Sequence, residues 1–481
     1  MVVRSVGTVF IVSTIIIVTC GTTCRQYDLT DYLVQLSCMD KKIISELSSF
    51  IEIQSVSADP VRRPQMKMAV EFLRKKLSSI GFEVEILENS NAPPVLFATY
   101  QVKNAKKTIG IYGHYDVQPE DPIDEWSVEP FRLTHKDGKL LGRGAADNKG
   151  HIIQNITAIE RLIKSGSLKS NIIFLIEGEE ECGSESLITY IESKKKELSA
   201  ADVFFITDVG MYGKNIPQII YALRGLAYFE IEVTIGTRDL HSGVYGNAVL
   251  NPAQVLTDLF SKMKNIETGE ILIPGFYDSV RNIDKNERSL LQKNDVSAQD
   301  FIKETGTFSV TPMRGVSAYL APKIFPSLDI HGFDSGFTGE GPKTVIPRKA
   351  RAKFSCRLVE HQNVKLIEAL IRDFVKMKLP QGVKYTLTTR SYDDPFYTSI
   401  EDSYIQKTAQ ILTSYFGHET VLMREGGSVP VAAILQKMFG TPIILTGFIL
   451  PDSNLHAPDE NFDEEMFFKG IGALEKVYGE I

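Results

Sequence analysis

Tryptophan occurs once in 481 residues and cysteine five times, with Cys20 and Cys24 in or beside an apolar N-terminal stretch. The remaining Cys38, Cys182 and Cys356 are too few and too scattered for a disulfide framework. No block of lysine and arginine occurs, and the formal net charge is -7. Nucleic-acid binding, which relies on basic patches that neutralise phosphates, is therefore excluded as a leading role. Internal repeats and low-complexity tracts are missing too, which removes solenoids and fibrous or disordered chains from consideration.

What remains is a composition of globular type, 43% hydrophobic and 23% charged, on a chain long enough for two or three cores. Its N-terminus stands apart. Arg4 precedes VGTVFIVSTIIIVTC, spanning Val6 to Cys20, which is short for a bilayer crossing but suits the hydrophobic region of a secretory signal. Residues 1–24 are therefore read as a signal peptide or N-terminal anchor, with lipidation of Cys20 as a variant of that reading. The protein is accordingly expected to be secreted, periplasmic or cell-envelope associated, touching membrane only through that segment.

Beyond the leader, Leu29 to Leu77 has helical periodicity, and strand-like runs follow in FEVEIL, PVLFATY, KTIGIYG, NIIFLIE and DVFFIT. Between Gly142 and Gly166 a glycine-rich loop feeds an amphipathic helix. Strands alternating with helices predict an α/β sheet covered on its faces. Near Arg224 the pattern changes. LAYFEIEVTIG alternates, and the order of strands and helices to VKYTLTTRS is β-α-β-β-α-β, a ferredoxin-like arrangement interrupted by a long segment from about Lys264 to Pro326. The α/β pattern resumes after Pro395, so residues 25–222 and 397–481 are read as two parts of one domain and 223–396 as an insertion.

The stretch NIIFLIEGEEECGSE raises the functional question. A buried-strand run ends in four glutamates, Glu177, Glu179, Glu180 and Glu181, within five positions. Two carboxylates about 4 Å apart repel by roughly 4 kcal/mol at an effective dielectric near 20, so the cluster needs cations, protonation or open solvent. Read alone, the run fits a wet turn as well as a metal site. Four further stretches share its form. GHYDVQP puts His114 and Asp116 just beyond a strand, GRGAADNKG holds Asp147 in a glycine loop, DVFFITD ends on Asp208, and LPDSNLHAP places His456 after another strand. In an open α/β sheet, ligands bind at the carboxyl ends of the strands, so these side chains are expected to converge. Carboxylates with a few imidazoles suit zinc or manganese.

These motifs, with RDLHSGVYG and REGGSVP, stand in an order that resembles the co-catalytic metallopeptidase family of carnosine dipeptidase, cytosolic nonspecific dipeptidase, glutamate carboxypeptidase, aminoacylase and succinyl-diaminopimelate desuccinylase. The dipeptidase branch is favoured by LHSGVYG and REGGSVP. The resemblance implies a mixed-sheet, aminopeptidase-like α/β catalytic domain carrying an inserted ferredoxin-like (α+β) lid and dimerisation domain. It implies two divalent metal ions per subunit, zinc or alternatively manganese. Asp147 would bridge them, with His114 and Asp208 completing one site and Glu181 and His456 the other. Asp116 would orient His114, Glu180 would be the general base, and the peptide bond after Asp147 would be cis. His241 would stabilise the oxyanion from the partner subunit of a homodimer. Arg357 would grip the substrate carboxylate, unless it is an outward strand arginine paired with a surface acid, and Glu425 and Ser428 would line the pocket near the substrate's termini. Ser391 departs from the family, whose dipeptidases often carry histidine there. The expected activity is hydrolysis of dipeptides or short peptides with a free C-terminal carboxylate, with an N-acyl-amino-acid amidohydrolase as the alternative.

Overall fold

The computed structural model describes residues 29–89, 92–311, 313–427 and 429–481. The leader-like residues 1–24 and Ser428 lie outside the described residues. Two helices open the structure, Leu29–Ile51 and Arg63–Ser79, the second followed by Gly81 at a φ of 97°, left-handed backbone that suits glycine. Strands β1 (Glu83–Asn89), β2 (Ala92–Tyr100) and β3 (Thr108–His114) come next, then a ribbon of β4 (Thr134–Lys136) and β5 (Lys139–Leu141). After the helix Lys149–Lys164 follow β6 (Asn171–Glu177), β7 (Val203–Thr207) and β8 (Gln218–Leu223). The chain then builds a second region from β9 (Gly225–Thr234), the short β10 (Leu240–His241), β11 (Ser327–Ser335), the short β12 (Val345–Ile346), β13 (Lys349–Leu358) and β14 (Lys384–Asp393). It returns to the first with β15 (Phe396–Tyr397), β16 (Val421–Glu425), β17 (Ile443–Thr446), β18 (Asn461–Asp463) and the closing helix Glu464–Glu480.

The main sheet is mixed, in the order β1-β2-β6-β3-β7-β17-β8-β15 with β16 also on β8. β6, β3, β7 and β17 run parallel to one another, β1 and β2 pair antiparallel with their neighbours, and β8 is antiparallel to β17 and β15 but parallel to β16. β3 and β7 are buried along their whole length, as strands covered on both faces should be. One face packs Ile111, Ile156, Phe174, Phe205 and Leu474 under helices Lys149–Lys164 and Glu464–Glu480. The other packs Tyr112, Leu175, Phe204 and Ile206 under Leu187–Ser193 and Pro430–Phe439.

The second sheet is antiparallel, β11-β13-β9-β14, and β9 alternates strictly between buried and half-buried residues. One face therefore meets helices Pro252–Met263 and Val364–Lys378 through Phe229, Ile231, Phe354, Ile371 and Phe374, while the other stays open. The segment between them, expected as a long interruption, holds helices Lys285–Lys293 and Ala298–Thr305. Asp284 and Ser297 cap these helices by accepting the N–H groups of Glu287 and Asp300. Strands β8, β15 and β16 and the helix Pro430–Phe439 are further elements that the periodicity reading passes over, because each is too short to display a clear period.

Phe174, 1% exposed on β6 and 5.5 Å from the ring of Phe82, is at the centre of the larger core. Phe174→Ala is expected to destabilise the main-sheet body by about 3–5 kcal/mol. Denaturant titration followed by far-ultraviolet circular dichroism measures the loss.

Candidate metal centre

Because β3, β6, β7 and β17 are parallel, their carboxyl ends share one edge, and that edge collects the acidic residues. His114 is the last residue of β3, Asp208 follows β7, the Glu180–Cys182 turn follows β6, and His456 lies in the loop after β17. Asp147 comes from the glycine loop that leads into helix Lys149–Lys164, and its peptide bond to Asn148 is cis, as the resemblance implies. A side chain at Gly150 would place its Cβ 2.0 Å from the Ala145 carbonyl oxygen, so glycine is what lets the helix start hard against this loop.

Two groups of potential ligand atoms result, His114 with Asp147 and Asp208, and Asp147 with Glu181 and His456, the atoms of each lying within 4.8 Å of one another. Asp147 belongs to both. Its Oδ1 lies 3.0 Å from His114 Nε2 and its Oδ2 lies 3.0 Å from His456 Nε2. His114 Nε2 is also 3.5 Å from Asp208 Oδ1, and His456 Nε2 is 3.3 Å from Glu181 Oε2. His114 Nε2 is buried and makes no hydrogen bond of acceptable geometry in spite of these neighbours. Such an orphaned nitrogen among carboxylates fits a divalent cation, and so does a donor set of carboxylates and imidazoles without thiolates.

The ligand candidates are fixed from behind. Asp116 accepts the backbone N–H groups of Glu180 (3.3 Å) and Glu181 (3.0 Å), and its Oδ1 is 3.4 Å from His114 Nδ1. It thus braces both the imidazole and the glutamate turn. Asn148 Nδ2 donates to Asp208 Oδ1 (2.6 Å), and Gln118 Nε2 donates to Glu181 Oε2 (2.8 Å). Glu460 was not anticipated from sequence. Its Oε1 accepts the N–H groups of Gly144, Ala146 and Asp147, each at 3.0 Å, while Oε2 pairs with Arg143 at 2.7 Å, both Glu460 and Arg143 being fully buried. It stands four residues after His456, so one carboxylate ties the His456 loop to the Asp147 loop. A lone glutamate in a polar loop carries no periodic signal that would reveal this.

The electrostatics separate the carboxylates. Burial favours the neutral form of Asp147, but the closeness of His114 and His456 outweighs that and holds its carboxyl below the usual range. The same contacts, with Asp147 and Glu181, raise His456 to about 10. Burial, reinforced by the charges of Asp208, Glu181 and Asp147, pushes Glu180 up to about 9. Among the described residues its carboxylate has no hydrogen-bonding partner. Of the other two glutamates of the run, Glu179 accepts the Ser186 N–H as a local turn acceptor should. Glu177 is placed differently. It is buried, accepts from Tyr112 and Ser184, and is raised to about 8 mainly by burial.

Other candidates lie outside both groups. His241 is exposed on β10, its Nδ1 accepting the Gly243 N–H. Arg357 is half-buried on β13, beside Arg224 and Asp393, and no carboxylate among the described residues lies within ion-pair distance of it. The alternative of an arginine paired with a surface acid thus finds no partner. Glu425, at the end of β16, is raised by burial and accepts from Gln218 Nε2 at 3.3 Å.

Comparison with known proteins gives close relatives. The chain is 33% identical over 460 residues to the Cys-Gly metallodipeptidase dug1 of Schizosaccharomyces pombe, covering 90% of this chain and 94% of the relative. It is 30% identical to the human Beta-Ala-His dipeptidase, over 89% of this chain and 88% of that one. A metallo-carboxypeptidase of the M20 family from Sulfolobus solfataricus superposes with a TM-score of 0.79 at 30% identity, covering 91% of this chain and 98% of the other. The expected secreted, periplasmic or cell-envelope location is corrected and withdrawn. Its basis, Val6 to Cys20, lies outside the described residues, among which no helix is long and apolar enough to cross a membrane, and these dipeptidases lend export no support. The match to peptidase family M20/M25/M40 runs over residues 110–480, well over half the chain, and takes in every ligand candidate above; the chain belongs to that family.

Proposed function

We propose that the protein is a two-metal hydrolase that cleaves the amide bond of dipeptides or short peptides bearing a free C-terminal carboxylate. One observation carries the reading: the two oxygens of Asp147 each meet a different histidine, so a single carboxylate belongs to both ligand groups. The relatives' names, Cys-Gly metallodipeptidase and Beta-Ala-His dipeptidase, support dipeptides over N-acyl amino acids as substrates.

Within this reading His114, Asp147 and Asp208 hold one divalent cation, and Asp147, Glu181 and His456 hold the other. The donor set suits Zn²⁺ or Mn²⁺. When bound, such a pair supplies Lewis acidity toward the amide carbonyl and lowers the pKa of water. Glu180 receives the proton of the attacking water and delivers it to the leaving nitrogen. Its lack of any hydrogen-bonding partner among the described residues leaves the carboxylate available for that transfer. Asp116 keeps the His114 ring and the Glu180–Glu181 turn in register. Arg357 pairs with the substrate carboxylate through its planar fork, and Glu425 lines the pocket near the substrate's termini. Residues 223–396 serve as an inserted ferredoxin-like lid and dimerisation domain, and His241 reaches the oxyanion of a second copy in a homodimer. The exposure of His241 and its distance in sequence from both ligand groups are consistent with that assignment.

Three outcomes are expected. Chelation abolishes hydrolysis of Cys-Gly, β-alanyl-histidine and Ala-Ala, and added Zn²⁺ or Mn²⁺ restores it; indifference to chelator, or faster hydrolysis of N-acetyl amino acids than of dipeptides, counts against the reading. Asp147→Asn lowers the metal content of both sites by elemental analysis, whereas His456→Ala lowers it by about one ion per subunit. Glu180→Gln keeps the metals but loses about 10²–10⁴-fold in kcat, the range of general acid–base catalysis, and near-normal turnover would remove Glu180 from that role.

A further inference from the structure

Where β16 of the main sheet meets the residues that follow β13 lies a closed ring of charges that the mechanism does not use. Arg424 Nε and Nη2 donate to Glu287 Oε1 at 2.8 and 2.6 Å, and its Nη1 and Nη2 donate to Glu360 Oε2 and Oε1 at 2.7 and 2.5 Å. Arg281 closes the ring, with Nε donating to Glu360 at 3.1 Å and Nη2 to Glu287 at 2.5 Å. Signs alternate around it and the four charges cancel. The side chains of Arg424, Glu287 and Glu360 are 2%, 1% and 4% exposed, and that of Arg281 is 19% exposed. Tyr221 adds a hydroxyl donor to Glu287 at 3.0 Å and a ring face to Arg424.

A buried ring of this kind gains little over an apolar core of the same volume, because desolvation offsets the attraction. What distinguishes it is geometry, since bidentate guanidinium–carboxylate bonds admit one arrangement of their carriers. Those carriers come from three regions. Arg424 is on β16 of the main sheet, Glu360 follows β13 of the second sheet, and Glu287 and Arg281 belong to the long segment between helices Pro252–Met263 and Val364–Lys378. Glu360 is three residues after Arg357, and Arg424 is next to Glu425. The pairing of β16 with β8 slips between Met423 and Arg424, an irregularity of the kind that re-aims a side chain.

We propose that this ring is a ruler: by clamping the end of β16 to the end of β13 it holds Glu425 and Arg357 at one separation, and so restricts the site to peptides of two residues. The proposal rests on the peptidase reading and makes Arg424, Glu360, Glu287 and Arg281 positioning residues that never touch substrate. It also gives the long segment a purpose, since Arg281 and Glu287 complete a clamp that Arg424 and Glu360 alone would leave open on one side.

The test uses the full-length, metal-loaded protein with Ala-Ala and Ala-Ala-Ala. Glu360→Gln keeps the shape and the acceptor but breaks the alternation of charge, and Arg281→Lys loosens the least buried corner. For Glu360→Gln the KM for Ala-Ala is expected to rise about tenfold with kcat within about twofold, and the Ala-Ala preference in kcat/KM to fall about tenfold, at unchanged metal content. Arg281→Lys shifts both in the same direction by less, and carries the test if Glu360→Gln does not fold. A folded, metal-loaded variant with an unaltered KM and an unaltered peptide preference overturns the ruler, as does a loss confined to kcat. Inactivity of the unsubstituted protein toward both peptides overturns the peptidase reading and the ruler with it.

Discussion

The structure turns on a repulsion. Asp147, Asp208, Glu180 and Glu181 gather at one edge of the main sheet, with the imidazoles of His114 and His456 among them. At contact distances like charges cost several kcal/mol apiece unless something positive joins them. Parallel strands create this crowding, because β3, β6, β7 and β17 all deliver their carboxyl ends, and the loops that follow, to the same edge. Divalent cations would reverse the sign of the local interaction, turning an unfavourable cluster into a ligand set.

Holding such a set requires groups that are not themselves ligand candidates, and most of them are backbone donors. Asp116 is held by two peptide N–H groups, and Glu460 by three plus the Arg143 guanidinium. Each of these carboxylates is therefore satisfied and immobile, and each passes that rigidity to a neighbour in the site. The same surroundings drive the titrating groups apart. Asp147 is held low by its two histidines, while Glu180, without a hydrogen-bonding partner, is pushed up by burial and by its neighbours. Carboxylates separated in this way suit different tasks, the one as a ligand and the other as a carrier of protons.

The two sheets answer to different solvents. β3 and β7 are buried on both faces and tolerate no polar alternation, whereas β9 shows one buried face and one open face. The Arg424 ring ties β16 of the main sheet to the residues that follow β13 of the second. Charge at the junction of two sheets is costly to desolvate, so its retention argues for a geometry that must not vary.

Much of this was legible in the chain itself. Strands β3, β6 and β7, the β-α-β-β-α-β order and the metal-competent ends of the motifs all follow from periodicity and from the rule that parallel strands bring their carboxyl ends together. His114, Asp147, Asp208, Glu181 and His456 could be named because residue type and position relative to a strand are local properties. The location inferred from the apolar leader did not hold, since a short apolar run is ambiguous among several fates. Glu460, the buried role of Glu177 and the Arg424 ring were beyond reach, for they depend on which distant groups meet: Glu460 is recognised only when the 144–147 loop lies against it, and Arg424 only when three regions close around it. Local sequence determined which side chains could do chemistry and at which strand ends they sit; tertiary packing decided which of them are buried together, because desolvation and pairing are properties of the assembled interior and of no single stretch of chain.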